Sequence, residues 1–359
     1  MTVSEDRKKE LMKQGYRLVG NHSAIKTCLW CKKAVRGDDT CYKNTFYNIK
    51  SWRCIEASVT LDNCNLRCEW CWRDINYSSL TFEKLDDPKM IVDGFIQEHK
   101  KLLVGFFGAE RVNRERLDES MKPKHVALSL TGDACMYPKL PELIDEIHSR
   151  EMTTFLVTNG TFPRMLEQLL DGHQPTQLYI TLPAPDEKTY EEACKPLTPN
   201  TWPKIKESLK LLGKFDRSVI RLTLAKGLNM HNADGYAELL KDVDFDWIEF
   251  KAAMPVGYAR YRLAYQQMPL HTEIKEFAEQ LCAKLGAYIV DEKANSRVVL
   301  VARQDREDRK LVFDWDHDNH PIPSQKEVLD FQKKEMKKID SCCDSEEEYG
   351  ELVQICVKA

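Results

Sequence analysis

No apolar run in this chain approaches the roughly 20 residues a helix needs to cross a bilayer, which excludes a helical membrane protein. The first residues, MTVSEDRKKELMKQ, are charged and lead into no apolar stretch, so no secretory leader is expected and the cytoplasm is the expected location. No internal repeat or low-complexity tract stands out. A large charge of one sign is missing as well: 53 Lys/Arg against 57 Asp/Glu leave −4 over 359 residues, so only the placement of charge is informative. Residues 1–80 carry 14 Lys/Arg and 9 Asp/Glu, leaving the acidic excess to the remainder. A basic front end on an acidic body suits a polyanionic partner met at one localised site. With 42% hydrophobic and 31% charged residues the chain can bury a sizeable core, as one large α/β domain or two ordinary ones, and disorder is excluded as its main state.

The conspicuous excess is sulfur. Of 13 cysteines, seven lie between Cys28 and Cys71. A reducing cytosol disfavours structural disulfides, so this density points to metal or redox chemistry. The others (Cys135, Cys194, Cys282, Cys342, Cys343 and Cys356) read as apolar filler or tail residues.

Residues 5–20 read as a leading helix, followed by an aromatic, cysteine-bearing, loop-like stretch to about Arg53. Apolar, β-branched runs then occupy 55–61, 125–130, 153–158, 177–182, 218–224 and 247–252, with a late pair at 287–290 and 296–301. Segments with helical spacing fall between them at 88–103, 140–150, 163–170, 202–214, 234–241 and 272–285. Strands alternating with helices mean βαβ units and a parallel sheet. The expected fold is α/β, a partial or near-complete (β/α) barrel whose chemistry lies at the C-terminal ends of its strands. Residues 1–54 would form an N-terminal cysteine-bearing extension, 55–303 the barrel, and 304–359 a C-terminal cap with an acidic, poorly ordered tail from about Ser341.

The strongest motif is Cys64-Asn65-Leu66-Arg67-Cys68-Glu69-Trp70-Cys71, a C-x3-C-x2-C run directly after the first expected strand. Thiolates are soft ligands that favour iron–sulfur clusters or zinc. Three of them in eight residues bind three corners of a cubane and leave the fourth iron open to chelate a substrate, whereas a structural zinc site would want a fourth ligand nearby. His22 is the only histidine in the first 80 residues and is distant in sequence. A second set, Cys28, Cys41 and Cys54, has the even spacing C-x12-C-x12-C and again suits a cubane with one free iron. Cys31 is the rival ligand, able to complete a zinc site. Polar residues collect at the expected strand ends: Thr131-Gly132-Asp133, Thr158-Asn159-Gly160, Thr181, Arg221 and Thr223, and Glu249 and Lys251.

The C-x3-C-x2-C spacing resembles that of the radical S-adenosylmethionine (SAM) superfamily, whose open iron is chelated by SAM. With both cysteine sets, the chain closely resembles the archaeal type of tRNA 4-demethylwyosine synthase, over roughly residues 16–301. The resemblance rests on Cys41-Tyr42-Lys43 with Phe46-Tyr47, Arg53-Cys54-Ile55, Cys68-Glu69-Trp70-Cys71-Trp72-Arg73, Pro123-Lys124-His125-Val126-Ala127, Gln177-Leu178-Tyr179-Ile180, Ile248-Glu249 with Lys251, and Val256-Gly257-Tyr258.

That resemblance implies two [4Fe–4S] clusters and SAM as cofactors. Cys64, Cys68 and Cys71 would hold the SAM-binding cluster, and Cys28, Cys41 and Cys54 the auxiliary one. It implies a reaction that builds the tricyclic imidazopurine on N1-methylguanosine beside the anticodon of tRNA-Phe, with two carbons from pyruvate. Trp70 would contact adenine through its backbone. Gly132 and Asp133 would receive the SAM ammonium, Thr158, Asn159 and Thr181 would suit ribose or carboxylate contacts, and Arg221, Thr223 and Glu249 would be further cofactor-binding residues. Lys43 is implied as the amine that meets the keto carbon of pyruvate, with Lys251 the alternative; the other reading of Lys43 is a surface or phosphate-contacting lysine. The electron donor would be a separate flavodoxin- or ferredoxin-like protein, and the enzyme a monomer. RNA would be held through phosphates by Lys26, Lys32, Lys33, Arg36, Lys43, Lys50 and Arg53. Trp30, Tyr42, Phe46, Tyr47 and Trp52 would either stack bases or form a core around the second cluster.

Two positions depart from the family pattern. Gly132-Asp133-Ala134 stands where relatives have Gly-Glu-Pro, and Thr181-Leu182-Pro183 where they have Ser-Leu-Asp. The rival readings are a radical SAM enzyme with an auxiliary cluster acting on another substrate, and a non-catalytic, metal-stabilised RNA-binding protein.

Overall fold

A computed structural model describes residues 4–313. The front end holds more regular structure than its loop-like sequence promised. Helix α1 (Glu5–Lys13) starts at Ser4, whose hydroxyl accepts from the Arg7 amide at 3.2 Å. Two short strands follow, β1 (Arg17–Val19) and β2 (Ser23–Lys26), then two short helices, α2 (Leu29–Arg36) and α3 (Tyr42–Tyr47). These helices escape a sequence reading because each opens on a cysteine, Cys28 and Cys41, in place of the usual Ser, Thr, Asp or Asn cap.

The expected alternation then begins. In chain order it runs β3 (Cys54–Ser58), α4 (Pro88–Leu103), α5 (Arg114–Ser120), β4 (His125–Leu128), α6 (Leu140–His148), β5 (Thr153–Thr158), α7 (Pro163–Leu170) and β6 (Gln177–Thr181). It continues with α8 (Glu187–Cys194), α9 (Thr201–Leu209), β7 (Ser218–Leu224), α10 (Ala233–Leu240), β8 (Trp247–Ala252), α11 (His271–Leu285), β9 (Tyr288–Lys293) and β10 (Val298–Ala302). Helices α5 and α8 were not anticipated.

All strands share one sheet, in the order β1-β2-β3-β4-β5-β6-β7-β8-β10-β9. Strands β3 to β8 are parallel neighbours, β2 adds antiparallel to β3, and β10 adds antiparallel to β8. The antiparallel strands at both flanks leave the sheet open, so the barrel is partial. The front strands are continuous with it, pairing Lys26 with Glu56 and Ala24 with Ser58.

Period-two alternation along the strands sorts the interior into two apolar layers. Ile55, Val126, Leu156, Leu178, Ile220, Ile248 and Phe250 face the surrounding helices. Ala127, Phe155, Tyr179, Val219, Trp247, Val298 and Leu300 belong to a separate inner cluster with Tyr42, Phe46 and Tyr47 of α3. Helix α3 therefore plugs the lower half of the barrel, at the end where the parallel strands begin. Residues 304–313 strap it there: Leu311 donates to the Tyr47 carbonyl at 3.1 Å and Arg309 to that of Phe46 at 2.9 Å. Most of the expected C-terminal cap, and the acidic tail, lie outside the described residues.

Candidate active site

The loop after β3 carries Cys64, Cys68 and Cys71 at the rim where parallel strands end. It is fixed mainly through its backbone. Arg67 and Glu69 amides donate to the Cys194 and Ala193 carbonyls at 2.8 and 2.9 Å, and the Leu197 amide to the Asn65 carbonyl at 2.8 Å. Lys195 pairs with Glu69. Arg73, buried beneath the loop, donates to the Leu66 carbonyl at 3.1 Å and the Tyr77 carbonyl at 2.7 Å. Arg262 reaches the Glu69 and Cys71 carbonyls from the segment after β8.

The polar strand ends close around this loop. Gly132 adopts φ of 71°, and a Cβ there would collide with the Thr60 carbonyl, so only glycine permits this approach. Asp133 is buried, and its carboxylate accepts from the Asn159 amide at 2.7 Å, the Cys135 amide at 3.0 Å and the Thr158 hydroxyl at 3.0 Å. Burial pushes the Asp133 carboxyl up while those amides hold it down. Its oxygens thus tie the ends of β4 and β5 together. Asn159 donates to the Asn65 side chain at 2.9 Å and lies 4.0 Å from the Cys64 sulfur.

The donor set fits a cubane. All three cysteines are free thiols. Burial pushes Cys64 up to about 12 and raises Cys71, with Arg73 opposing both; Cys68 is raised by the neighbouring Cys194 thiol and by burial. Metal binding would displace these protons. Among the described residues no three His, Cys, Asp or Glu side chains stand at the separations of a single metal ion.

The second set is gathered by the fold. Cys28 caps α2, its sulfur accepting from the Cys31 amide at 3.3 Å. Cys41 caps α3, its amide donating to the Ser51 hydroxyl at 2.9 Å, and Cys54 opens β3. Burial, then Glu56 and the charges of Cys31, Cys41 and Cys54, raises the Cys28 thiol, which places these groups within electrostatic reach of one another. Cys31, the rival ligand, is buried in a cluster with Val35, Leu103 and Leu117.

Between the two sets, β3, β7 and β8 line the inner chamber with charged groups. Glu249 is fully buried, accepting from Tyr42 and Tyr47 hydroxyls at 3.1 and 3.0 Å and pairing with Arg221 at 3.2 Å. These contacts brace α3. The Lys43 ammonium lies 4.6 Å from the Tyr179 ring centre, and that of Lys251 lies 4.7 Å from the Tyr42 ring centre. Burial, then the Arg221 charge, lowers both lysines, Lys251 to about 8.

Sequence reasoning missed Glu56, which shares the inner face of β3 with Cys54. Burial pushes it up to about 7 against the pull of Lys26, Lys43 and Lys251, and one of its oxygens has no hydrogen-bond partner. Alternation from Cys54 was the signal that pointed to it. Several expected RNA contacts are also placed differently. Lys43 and Arg53 are buried, and Lys26 lies over the Tyr16 and Trp72 rings at 4.8 and 5.9 Å. Tyr42, Phe46 and Tyr47 are core residues. Trp70 is half-buried within the cluster loop, and Thr181 and Thr223 are half-buried on β6 and β7.

An open parallel barrel with a three-cysteine loop behind its first parallel strand defines a radical SAM enzyme, and residues 58–240 match the Radical SAM superfamily. Residues 243–303 match the family described as wyosine base formation. The chain belongs to the tRNA 4-demethylwyosine synthase family. It is 42% identical to the S-adenosyl-L-methionine-dependent tRNA 4-demethylwyosine synthase of Pyrococcus abyssi over 82% of this chain and 87% of that one. The enzyme of Methanocaldococcus jannaschii is 34% identical over 85% of this chain and 98% of its own. A solved structure of TYW1 with a lysine-pyruvate adduct bound superposes with a TM-score of 0.79, at 34% identity, over 87% of this chain and all of the other. Among the described residues no helix is long and apolar enough to cross a membrane.

Proposed function

We propose that this chain forms 4-demethylwyosine from N1-methylguanosine next to the anticodon of tRNA-Phe, with pyruvate as the two-carbon donor. The observation that supports the reading is a three-cysteine loop at the rim together with buried Lys43 and half-buried Lys251 against aromatic rings of the barrel interior. Cys64, Cys68 and Cys71 would hold the first [4Fe–4S] cluster, and Cys28, Cys41 and Cys54 the second. When bound, the first cluster supplies the electron that cleaves SAM to a 5′-deoxyadenosyl radical able to take hydrogen from the purine's N-methyl group.

The chain's own part is positioning. Gly132, Asp133, Thr158 and Asn159 hold the cluster loop against the strand ends, while Trp70, Thr181 and Thr223 offer backbone and hydroxyl groups to SAM. Arg221 and Glu249, expected as SAM contacts, also brace α3, Glu249 through the hydroxyls of Tyr42 and Tyr47. Lys43 is the amine for pyruvate. Burial favours its neutral form, whose nitrogen attacks the keto carbon and releases water. The TYW1 structure with a lysine-pyruvate adduct supports this assignment. Lys251, near the end of β8 and 4.7 Å from the Tyr42 ring centre, would steady the pyruvate carboxylate. The same reading takes a flavodoxin- or ferredoxin-like protein as electron donor, the cytoplasm as location, and a monomer as the working form.

The test is anaerobic reconstitution followed by assay with SAM, reductant, pyruvate and N1-methylguanosine-containing tRNA. About eight irons per chain and a product requiring both tRNA and pyruvate are expected. SAM cleavage without a modified tRNA would move the chain to another substrate, and bound zinc without SAM cleavage would reduce it to a metal-stabilised RNA-binding protein.

A further inference from the structure

The segment after β8 presents a ledge that the chemistry just described does not use. It is locked to the cluster loop. The Tyr258 amide donates to the Trp72 carbonyl at 2.9 Å, and Arg262 reaches the Glu69 and Cys71 carbonyls. Gly257, with φ of 57°, sits so close to the Trp72 carbonyl that a Cβ would lie 2.5 Å from it. From this fixed base Tyr261 and Tyr265 project outward, 74% and 53% exposed. Among the described residues most other aromatic rings are buried or half-buried, so two such rings within five residues form a distinctive surface.

Charge and geometry continue the ledge. The exposed Arg260 guanidinium lies 5.7 Å from the Tyr261 ring centre, and the Tyr258 and Tyr261 rings are 5.9 Å apart. The Tyr258 hydroxyl donates to Glu10 at 2.5 Å; Glu10 pairs with Arg7 at 2.8 Å, and Arg7 covers the exposed Tyr77 ring at 4.1 Å. Arg7 also pairs with Asp62 at 3.1 Å, so the carboxylates of this row, Glu10 and Asp62, gather at its Tyr258 end, away from Arg260 and Tyr265 in sequence. What remains is a pair of exposed rings on one short segment, with Arg260 flanking Tyr261, joined to the C-x3-C-x2-C loop.

We propose that Tyr261 and Tyr265, with Arg260, form a stacking platform for unpaired bases of the RNA loop that delivers its purine to the chamber. The proposal rests on the tRNA-modifying reading above and names where that substrate is held. Aromatic faces stack any base, and an adjacent cation answers the phosphate between successive bases, which is how sequence-tolerant single-strand sites work. A double helix would offer the ledge no free base face, so the ligand class is single-stranded or splayed RNA.

The experiment measures binding of tRNA-Phe transcript to the anaerobically reconstituted enzyme by fluorescence anisotropy across a salt series. Tyr261→Ala and Tyr265→Ala are each expected to weaken binding about five- to a hundredfold, with Tyr261→Phe retaining wild-type affinity because the ring, not the hydroxyl, does the stacking. Arg260→Gln should reduce the salt slope by about one. Iron content and melting temperature report whether each variant is intact; any alanine variant that fails to fold is replaced by Tyr261→Leu, which keeps bulk but removes the π-face. Wild-type affinity in the alanine or leucine variants would overturn the platform alone, whereas no binding by the wild type would overturn the tRNA reading with it. Unchanged RNA affinity with loss of reduction by flavodoxin, but not by dithionite, would overturn it in favour of a protein-docking face.

Discussion

Cys64, Cys68 and Cys71 reach one another within a single loop, whereas Cys28, Cys41 and Cys54 come from the caps of two helices and the start of a strand. Both sets are thiols, but the construction is opposite. The first set is held by backbone hydrogen bonds to residues 193–197 and by Arg73, all near the rim. The second exists only when α3 is seated in the barrel, braced by Glu249 and strapped by residues 304–313. A local site depends on its own loop; an assembled one inherits the stability of everything that brings its pieces together.

The largest expected effect separates the two sets. Alanine at Cys64, Cys68 or Cys71 should bring reductive SAM cleavage down to the uncatalysed level. Alanine at Cys28, Cys41 or Cys54 should leave 5′-deoxyadenosine formation measurable while tRNA product falls by about a hundredfold or more, since orientation rather than radical generation is lost. Equal loss of SAM cleavage in both groups would erase the distinction.

Next in size is Lys43→Arg, which keeps a cation but removes the amine that can condense. Borohydride trapping with labelled pyruvate should yield adduct in the wild type and none in this variant, with product formation down by about a hundredfold. Adduct mapped to Lys251 by peptide mass spectrometry would exchange the two roles.

A smaller effect concerns acid. Burial pushes His125 down to about 3 and His99 to about 4, so both stay neutral in the folded chain. Unfolded histidine takes up a proton near pH 6.5, so below that pH the unfolded state binds more protons and stability falls as pH falls. At pH 5 the loss is about 2 kcal/mol per histidine. His125 lies at the barrel floor, accepting from the Lys50 amide at 3.3 Å and bonded to the Thr153 hydroxyl at 2.7 Å. Amide exchange should therefore open the α3 end before the rim loop between pH 7 and pH 5, and His125→Gln should flatten the dependence of melting temperature on pH. Opening at the rim first would contradict the ranking of the two regions.

The smallest change is Cys31→Ala. Packed among Val35, Leu103 and Leu117, its thiol is expected to contribute apolar burial and one weak hydrogen bond to the Trp52 carbonyl at 4.0 Å. Stability should fall by about 1 kcal/mol with iron content unchanged; loss of iron would make Cys31 a ligand.

Legibility followed the range of the forces involved. Strands β5, β7 and β8 and helix α4 begin and end where hydrophobic period and caps say they should; α4 has Asp87 as its cap and Pro88 at its first turn. Strands β1 and β2, three and four residues long, are too short to show a period and form only because β3 offers an edge. The Cys64 loop was readable as a spacing. The bracing of α3 by Glu249 was not, because its partners Tyr42 and Tyr47 lie some 200 residues away, at separations of 207 and 202.

By itself, then, the order of residues determined the βαβ rhythm, the thiol loop and the family, since each is written in spacings of a few residues. Tertiary structure alone decided that the barrel stays open, that α3 fills its floor with Lys43 in the chamber, and that Tyr261 and Tyr265 stand beside the cluster loop. Burial, charge proximity and ring placement depend on which distant segments meet, and only the packed chain brings those segments together.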